Sequence, residues 1–174
     1  MSKTILIYPF IALIMLVVPF QMARAQASVT AHATAEVIEA LSATETATLN
    51  FGRFSPEASG GEILLSPNGV RSAAGSVALS GGAFNPAIFY LSGQKEAAIN
   101  ITLPLAPAFL TNSINGKTMA VDNWKSIPPA GTGSGVLNNG LLTLNVGATL
   151  KVGNKSDNPA GIYSGTYAIT ISYN

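Results

Sequence analysis

The chain has no cysteine, a single histidine, and only 9 Lys+Arg and 8 Asp+Glu in 174 residues. Each scarcity excludes a class of function. Without Cys there is no disulfide framework and no metal–thiolate centre. One imidazole, His32, cannot supply the several ligands a zinc site uses, and a Ser–His–Asp triad needs a base placed by neighbours that no motif here provides. Sparse charges of both signs build no basic stripe, so nucleic acid is excluded as a partner. No segment carries a long 3.6-residue periodicity, so helices are not expected.

One long apolar run is present, over residues 5–20, interrupted by Pro9 and Pro19. Lys3 precedes it and Ala23-Arg24-Ala25 follows. This is the layout of a secretory signal peptide over residues 1–25, too short and too Pro-broken for a good membrane span. Losing Lys3 and Arg24 turns the formal charge of +1 slightly negative. No later segment is apolar enough for an integral membrane span. The mature protein is expected to be secreted and to reside in the periplasm or on the outer cell surface, as one domain over residues 26–174. A domain of this size buries roughly 68–70% of its unfolded surface, so it needs no staple.

What fills the mature region is Ala, Gly, Ser, Thr and Asn, in short alternating runs separated by turn residues. Val29, Ala31, Ala33, Ala35 and Val37 alternate with Thr30, His32, Thr34 and Glu36, which predicts a half-buried strand with an unusually small buried face. Strands are also predicted over residues 44–51, 63–65, 76–79, 87–91, 97–103, 118–124, 141–146 and 148–152. The 87–91 and 97–103 strands are expected to form a pair. Pro67-Asn68-Gly69 and Asn115-Gly116 mark turns. Residues 55–61, 128–135 and 153–159 read as loops. About ten short antiparallel strands at regular spacing predict an all-β, immunoglobulin-like β-sandwich.

The last stretch, residues 161–174, is the most patterned. After Gly161, Tyr163, Tyr167, Ile169, Ile171 and Tyr173 occupy odd positions with Gly165. Ser164, Thr166, Ala168, Thr170 and Ser172 occupy the even ones. The period of two predicts a strand with an aromatic and β-branched face on a core and a small polar face outward. Such a strand suits pairing with another, in the same molecule or from a neighbour.

Other residues carry plainer readings. Gly131-Thr132-Gly133-Ser134-Gly135 lacks the following helix and Lys-Ser/Thr pair of a phosphate loop. Asp122-Asn123 and Asp157-Asn158 lack the spaced acids of a calcium loop and read as turn formers. Glu36 with Glu39, or Glu57 with Glu62, can be imagined as a glycosidase pair, and nothing in the sequence places either pair at one cleft. Trp124 reads as core more readily than as a sugar platform. No catalytic, cofactor-binding or metal-ligating residue is assigned, and no cofactor is expected.

The chain resembles the bacterial domain of unknown function 4402, a group of secreted β-domain proteins. The matching blocks are Leu49-Asn50-Phe51-Gly52-Arg53-Phe54, Ser66-Pro67-Asn68-Gly69-Val70-Arg71 and Met119-Ala120-Val121-Asp122-Asn123-Trp124. They continue with Leu144-Asn145-Val146-Gly147-Ala148-Thr149-Leu150-Lys151-Val152-Gly153 and Pro159-Ala160-Gly161-Ile162-Tyr163-Ser164-Gly165-Thr166-Tyr167. The resemblance brings no assigned activity. The end of the chain is also similar to subunits of chaperone–usher pili and of the spore-coat U type, with Gly161 opening the last strand and Tyr173 as its penultimate tyrosine. The chain departs from many pilins in having no disulfide.

These readings together lead to a non-enzymatic, pilin-like structural or adhesive surface subunit that assembles by β-strand addition. The candidate donor strand is Val29, Ala31, Ala33, Ala35 and Val37. The candidate C-terminal assembly strand is Gly161, Tyr163, Tyr167, Ile169, Ile171 and Tyr173. Expected partners are identical or related subunits and a periplasmic chaperone. The alternative is a secreted monomeric β-sandwich binding module for carbohydrate. Mature protein is expected to start at Gln26, because Ala23 and Ala25 put small residues where signal peptidase requires them. The intact mass of secreted protein checks this, and a mass that retains residues 1–25 would refute it.

Overall fold

The computed structural model describes residues 26–174, and the expected signal peptide over residues 1–25 lies outside them. The chain divides into two units, Met1–Glu36 and Val37–Asn174. In the first, the described residues 26–36 are exposed and form no strand. The expected strand over residues 29–37 is therefore corrected: Val29 is 91% exposed, Val37 is 97% exposed, and Ala31, Ala33 and Ala35 are exposed too. Alternation alone does not make a strand. Its apolar side chains are mostly single methyl groups, and among the described residues no neighbouring strand takes up its backbone hydrogen bonds.

The second unit is all-β and antiparallel. Its strands are β1 (Ser42–Ala47), β2 (Phe54–Leu65), β3 (Arg71–Leu79), β4 (Ala87–Ser92), β5 (Ala98–Thr102), β6 (Ala108–Asn112), β7 (Thr118–Ile127), β8 (Gly131–Val136), β9 (Leu141–Val152), β10 (Tyr163–Ser164) and β11 (Thr170–Tyr173). Eight of them form one sheet, ordered β1-β4-β9-β7-β6-β10, with β2 pairing β9 and β3 pairing β2. The other sheet has three strands in the order β11-β5-β8. The result is a β-sandwich with a long layer and a short one.

The long strand β9 organises the large sheet. Its first half pairs β4, from Leu141↔Ser92 to Val146↔Ala87, and its second half pairs β2, from Ala148↔Leu65 to Val152↔Gly61. Its opposite edge pairs β7. Residues 146–150 are all buried, because both faces of the strand are covered. Gly147 is required there: a Cβ would stand 2.3 Å from the Leu65 carbonyl oxygen. Lys151 and Glu62 face one another across the β9–β2 pair and form an ion pair, and the Glu62 carboxylate holds the Lys151 ammonium above its ordinary range.

Two apolar cores result. One gathers Phe51, Ile63, Leu65, Met119, Val121, Ala148, Leu150 and Val152. The other gathers Ala87, Leu91, Ile99, Ile101, Leu137, Leu144 and Val146 beneath the short sheet. Leu49 and Trp124 pack against both. Trp124 thus belongs to the core, as expected.

Three local readings change. Residues 55–61 are not a loop but part of β2, which bulges between Pro56 and Gly60. The 87–91 and 97–103 strands exist as β4 and β5 but lie in different sheets. The glycine-rich stretch is strand β8, not a flexible loop. Its glycines serve close packing: a Cβ on Gly135 would meet Ile99 and Leu142 side-chain carbons at 2.9 Å.

The cores set a testable contrast. Leu144 is fully buried and Leu105 is fully exposed. Leu144→Ala is expected to cost about 2–5 kcal/mol through lost burial and a residual cavity, whereas Leu105→Ala should stay within about 0.5 kcal/mol. Urea unfolding of the two variants measures both, and equal effects would contradict the packing described.

Candidate functional site

The short sheet does not cover the whole of the long one. Beyond it, over the first core, a cleft of about 710 Å³ opens between two chain segments. One wall is residues 48–56, connecting β1 into β2. The other is residues 158–165, leading into and just past β10. The core side chains Leu110, Met119 and Leu150 line the space between them.

Both walls are held by specific bonds. Arg71 ties the first. One guanidinium nitrogen donates to the Phe51 carbonyl at 2.9 Å, another donates to Ser80 O at 2.8 Å, and the group stacks 4.2 Å over the Phe84 ring. Gly52 makes room for it, with φ +76° and Arg71 Nη1 only 2.2 Å from where a Cβ would stand. Asn158 ties the second wall. Its buried amide donates to Thr118 O at 2.9 Å and accepts from Gly153 N–H at 2.6 Å. Tyr163 Oη donates to Pro159 O at 2.9 Å. Gly161 and Gly165 lie so close to β6 that a Cβ on either would stand 2.2 Å from Asn112 Nδ2 or Phe109 O.

The C-terminal segment keeps its expected alternation. Tyr163, Tyr167, Ile169, Ile171 and Tyr173 are half-buried, and Ile162, Ser164, Thr166, Ala168, Thr170 and Ser172 are exposed. Tyr163 packs on the first core, and Tyr167, Ile169, Ile171 and Tyr173 pack on the second. It is not one strand, however. β10 pairs β6 in the long sheet and β11 pairs β5 in the short one. Between them, residues 165–169 carry no strand pairing. The segment crosses from one layer to the other, and a single ladder cannot follow it across.

The candidate donor residues, Val29 to Val37 at odd positions, are exposed and unpaired, as described above. His32 is exposed beside them. Among the described residues no three His, Cys, Asp or Glu come together as a metal site, and no helix is long and apolar enough to cross a membrane.

These elements match a known family model. It is that of a domain of unknown function, DUF4402, and it spans residues 41–173. The chain belongs to the DUF4402 family. The matched region contains every strand and both walls of the cleft and leaves out residues 26–40. No curated protein matches the chain significantly.

The sequence assigns Gly161 and Tyr163 to an assembly strand, and it gives no functional role to Arg53, Leu110, Met119, Leu150 or Asn158, which the fold brings to the same cleft. Asn158 read as an ordinary turn former. Its bond to Thr118 joins elements 40 residues apart, and no local pattern signals it.

Tyr167 carries a further mark of this region. Its ring lies 4.5 Å from that of Trp124, tilted by 33°. Its hydroxyl is buried and has no hydrogen-bond partner among the described residues. Burial, and then the negative charge of Glu45, push its pKa above the ordinary tyrosine range. Below a pH of about 10 both folded and unfolded chains keep this proton. Above it the unfolded chain releases the proton and the folded one does not, so stability falls as pH rises. Tyr167→Phe keeps the ring and removes an unsatisfied group that costs about 1–3 kcal/mol when buried. The variant is expected to melt no lower than the parent at pH 7 and to gain on it above a pH of about 10. A variant melting well below the parent at pH 7 would show that the hydroxyl is bonded.

Proposed function

We propose that the protein is an exported structural or adhesive cell-surface subunit that assembles by β-strand addition and is not an enzyme. The cleft carries this reading. Core side chains line a trough bordered by backbone that has no strand partner, and β11 is an edge strand paired only with β5. An extended segment laid there would hydrogen-bond to the main chain of residues 160–162 and Gly165, which line the cleft outside any strand, while alternate side chains descend onto Leu110, Met119 and Leu150. The immunoglobulin-like, pilin-like form of the sandwich is part of the proposal. So are residence in the periplasm or on the outer surface, related subunits as partners, and a periplasmic chaperone that shields the trough before assembly.

One observation favours a second reading, a secreted carbohydrate-binding module. A shallower cleft of about 620 Å³ lies beside Trp124, Asp122 and Asn123, and Asn123 adopts φ +50° at the β7 bulge. An aromatic ring beside polar side chains is the chemistry that sugar recognition uses.

Hydrogen exchange on the protein, with and without a peptide of residues 26–38, separates them. Strand addition predicts protection of the amides of residues 160–162 and Gly165, which line the cleft, and a higher melting temperature. The stabilisation is about 2.7 kcal/mol at a hundredfold excess over Kd. The same peptide with Ala33→Asp should do neither, since a carboxylate would enter an apolar trough unpaired. Unchanged exchange at saturating peptide would remove the strand-addition reading.

A further inference from the structure

We infer that the cleft beside Trp124 takes an N-acetylated amino sugar and holds it by the acetamido group. The inference rests on the second, carbohydrate-binding reading and names the sugar. No residue that lines this cleft lines the trough of the first reading, so the two sites are separate.

The cleft arises where β7 loses both of its neighbours. Pairing with β6 ends at Val121↔Ala108, because residues 103–107 arrive there from β5 in the short sheet. On the other edge the pairing with β9 slips between Asp122 and Lys125. Asn123 and Trp124 therefore have no residue opposite them in either ladder. Asn123 takes φ +50°, a left-handed conformation that asparagine tolerates better than most residues. The bulge turns Trp124 inward onto both cores, and the Tyr167 ring, 4.5 Å away, holds the indole in place. Residues 103–107 form the facing wall.

The chemistry of the cleft selects among sugars. Asp122 is the only charged residue that lines it. The nearby Lys151 is paired with Glu62 and stands 3.9 Å from Asp122 Oδ1, beyond hydrogen-bond distance. A uronic or sialic acid would bring like charge to this carboxylate and is disfavoured. Two polar atoms on lining residues are buried without a hydrogen-bond partner among the described residues. One is an acceptor, Asp122 Oδ1, and the other is a donor, Trp124 Nε1. The facing wall is apolar, with Leu103, Pro104 and Pro107.

An acetamido group carries the complement of all three in one planar unit. Its N–H donates to the Asp122 carboxylate, its carbonyl accepts from the indole N–H, and its methyl rests on the prolines. A buried polar atom without a partner is costly, and one ligand group that serves both atoms recovers that cost. An unacetylated amine has donors but no acceptor for the indole N–H. A plain hexose has hydroxyls but no methyl for the apolar wall. The remaining hydroxyls of the sugar lie at the open mouth, beside the exposed Asn123.

Trp124 is the only tryptophan of the chain, so its fluorescence reports from this cleft. The mature protein is titrated with trimers of N-acetylglucosamine, glucosamine, β-linked glucose and galacturonic acid, and binding is read by tryptophan emission and by calorimetry. The N-acetylglucosamine trimer is expected to bind saturably. The glucosamine and glucose trimers should bind at least about tenfold more weakly, and the galacturonic acid trimer should give no signal. Asp122→Asn should weaken the first by about tenfold through loss of a charge-assisted acceptor. Ala106→Phe, at an exposed lining position, should block the cleft with no loss of melting temperature. A glucose or glucosamine trimer that binds as tightly overturns the acetamido assignment and leaves a sugar site standing. Tightest binding of the galacturonic acid trimer overturns the assignment as well. Affinity unchanged in both variants places the sugar elsewhere and overturns the inference. No saturable signal from any trimer removes the inference together with the carbohydrate reading.

Discussion

The pairing of β9 along both edges is the constraint on which the rest of the molecule depends. Twelve residues bind β4, β2 and β7 and contribute to both cores. A strand shared so widely must carry an apolar face that serves both cores and be slim where another segment crosses it. Leu144, Val146, Ala148 and Leu150, all on one face, meet the first demand. Gly147, pressed against the Leu65–Pro67 backbone, meets the second. Because β2 and β4 follow each other along one edge of β9, the long sheet is continuous over two cores. The short sheet, built from β11, β5 and β8, lies over only one of them.

The cleft follows from this mismatch in length. Where the second layer stops, its place is taken by connecting segments, and these are held apart rather than drawn together. Arg71 draws the 48–56 wall toward β3 and Ser80. Asn158, Gly161 and Gly165 draw the 158–165 wall onto β6 and β7. An apolar floor between two tethered walls has no route to close by collapse, because moving either wall would break buried bonds or force backbone into contact. Exposed apolar surface is ordinarily costly, so its persistence here is a structural consequence of where the walls are anchored.

The layered all-β architecture was legible in the sequence because period-two patterns and turn chemistry are local. The Asn115-Gly116 hairpin, the Pro67-Asn68-Gly69 turn and the alternation from Tyr163 to Tyr173 all carried through. What was not legible depends on partners distant in sequence. Residues 29–37 alternate cleanly and form no strand, since period two reports which faces a strand would have and not whether another strand stands beside it. The converse error occurred at residues 131–135. Glycine there reads as flexibility, while in the fold it lets Ile99 and Leu142 approach strand β8. The cleft was half legible: Gly161 and Tyr163 stand within a patterned segment, but Arg53, Met119 and Asn158 converge only through sheet pairing.

The C-terminal segment borders the trough only as far as Gly165 and then crosses from one layer to the other. A strand that stayed in one sheet would have a ladder along its whole length, and its outer edge would be flat and continuous. By pairing first with β6 and then with β5, this segment turns through residues 165–169 without a partner, while its odd side chains remain seated on the cores. Trp124 stands at the turning point, touching both cores and the Tyr167 ring, and the β7 bulge at Asn123 aims it there. Seating and pairing are thus uncoupled in one stretch of chain. The side chains hold the segment in position while its main chain runs without a strand partner.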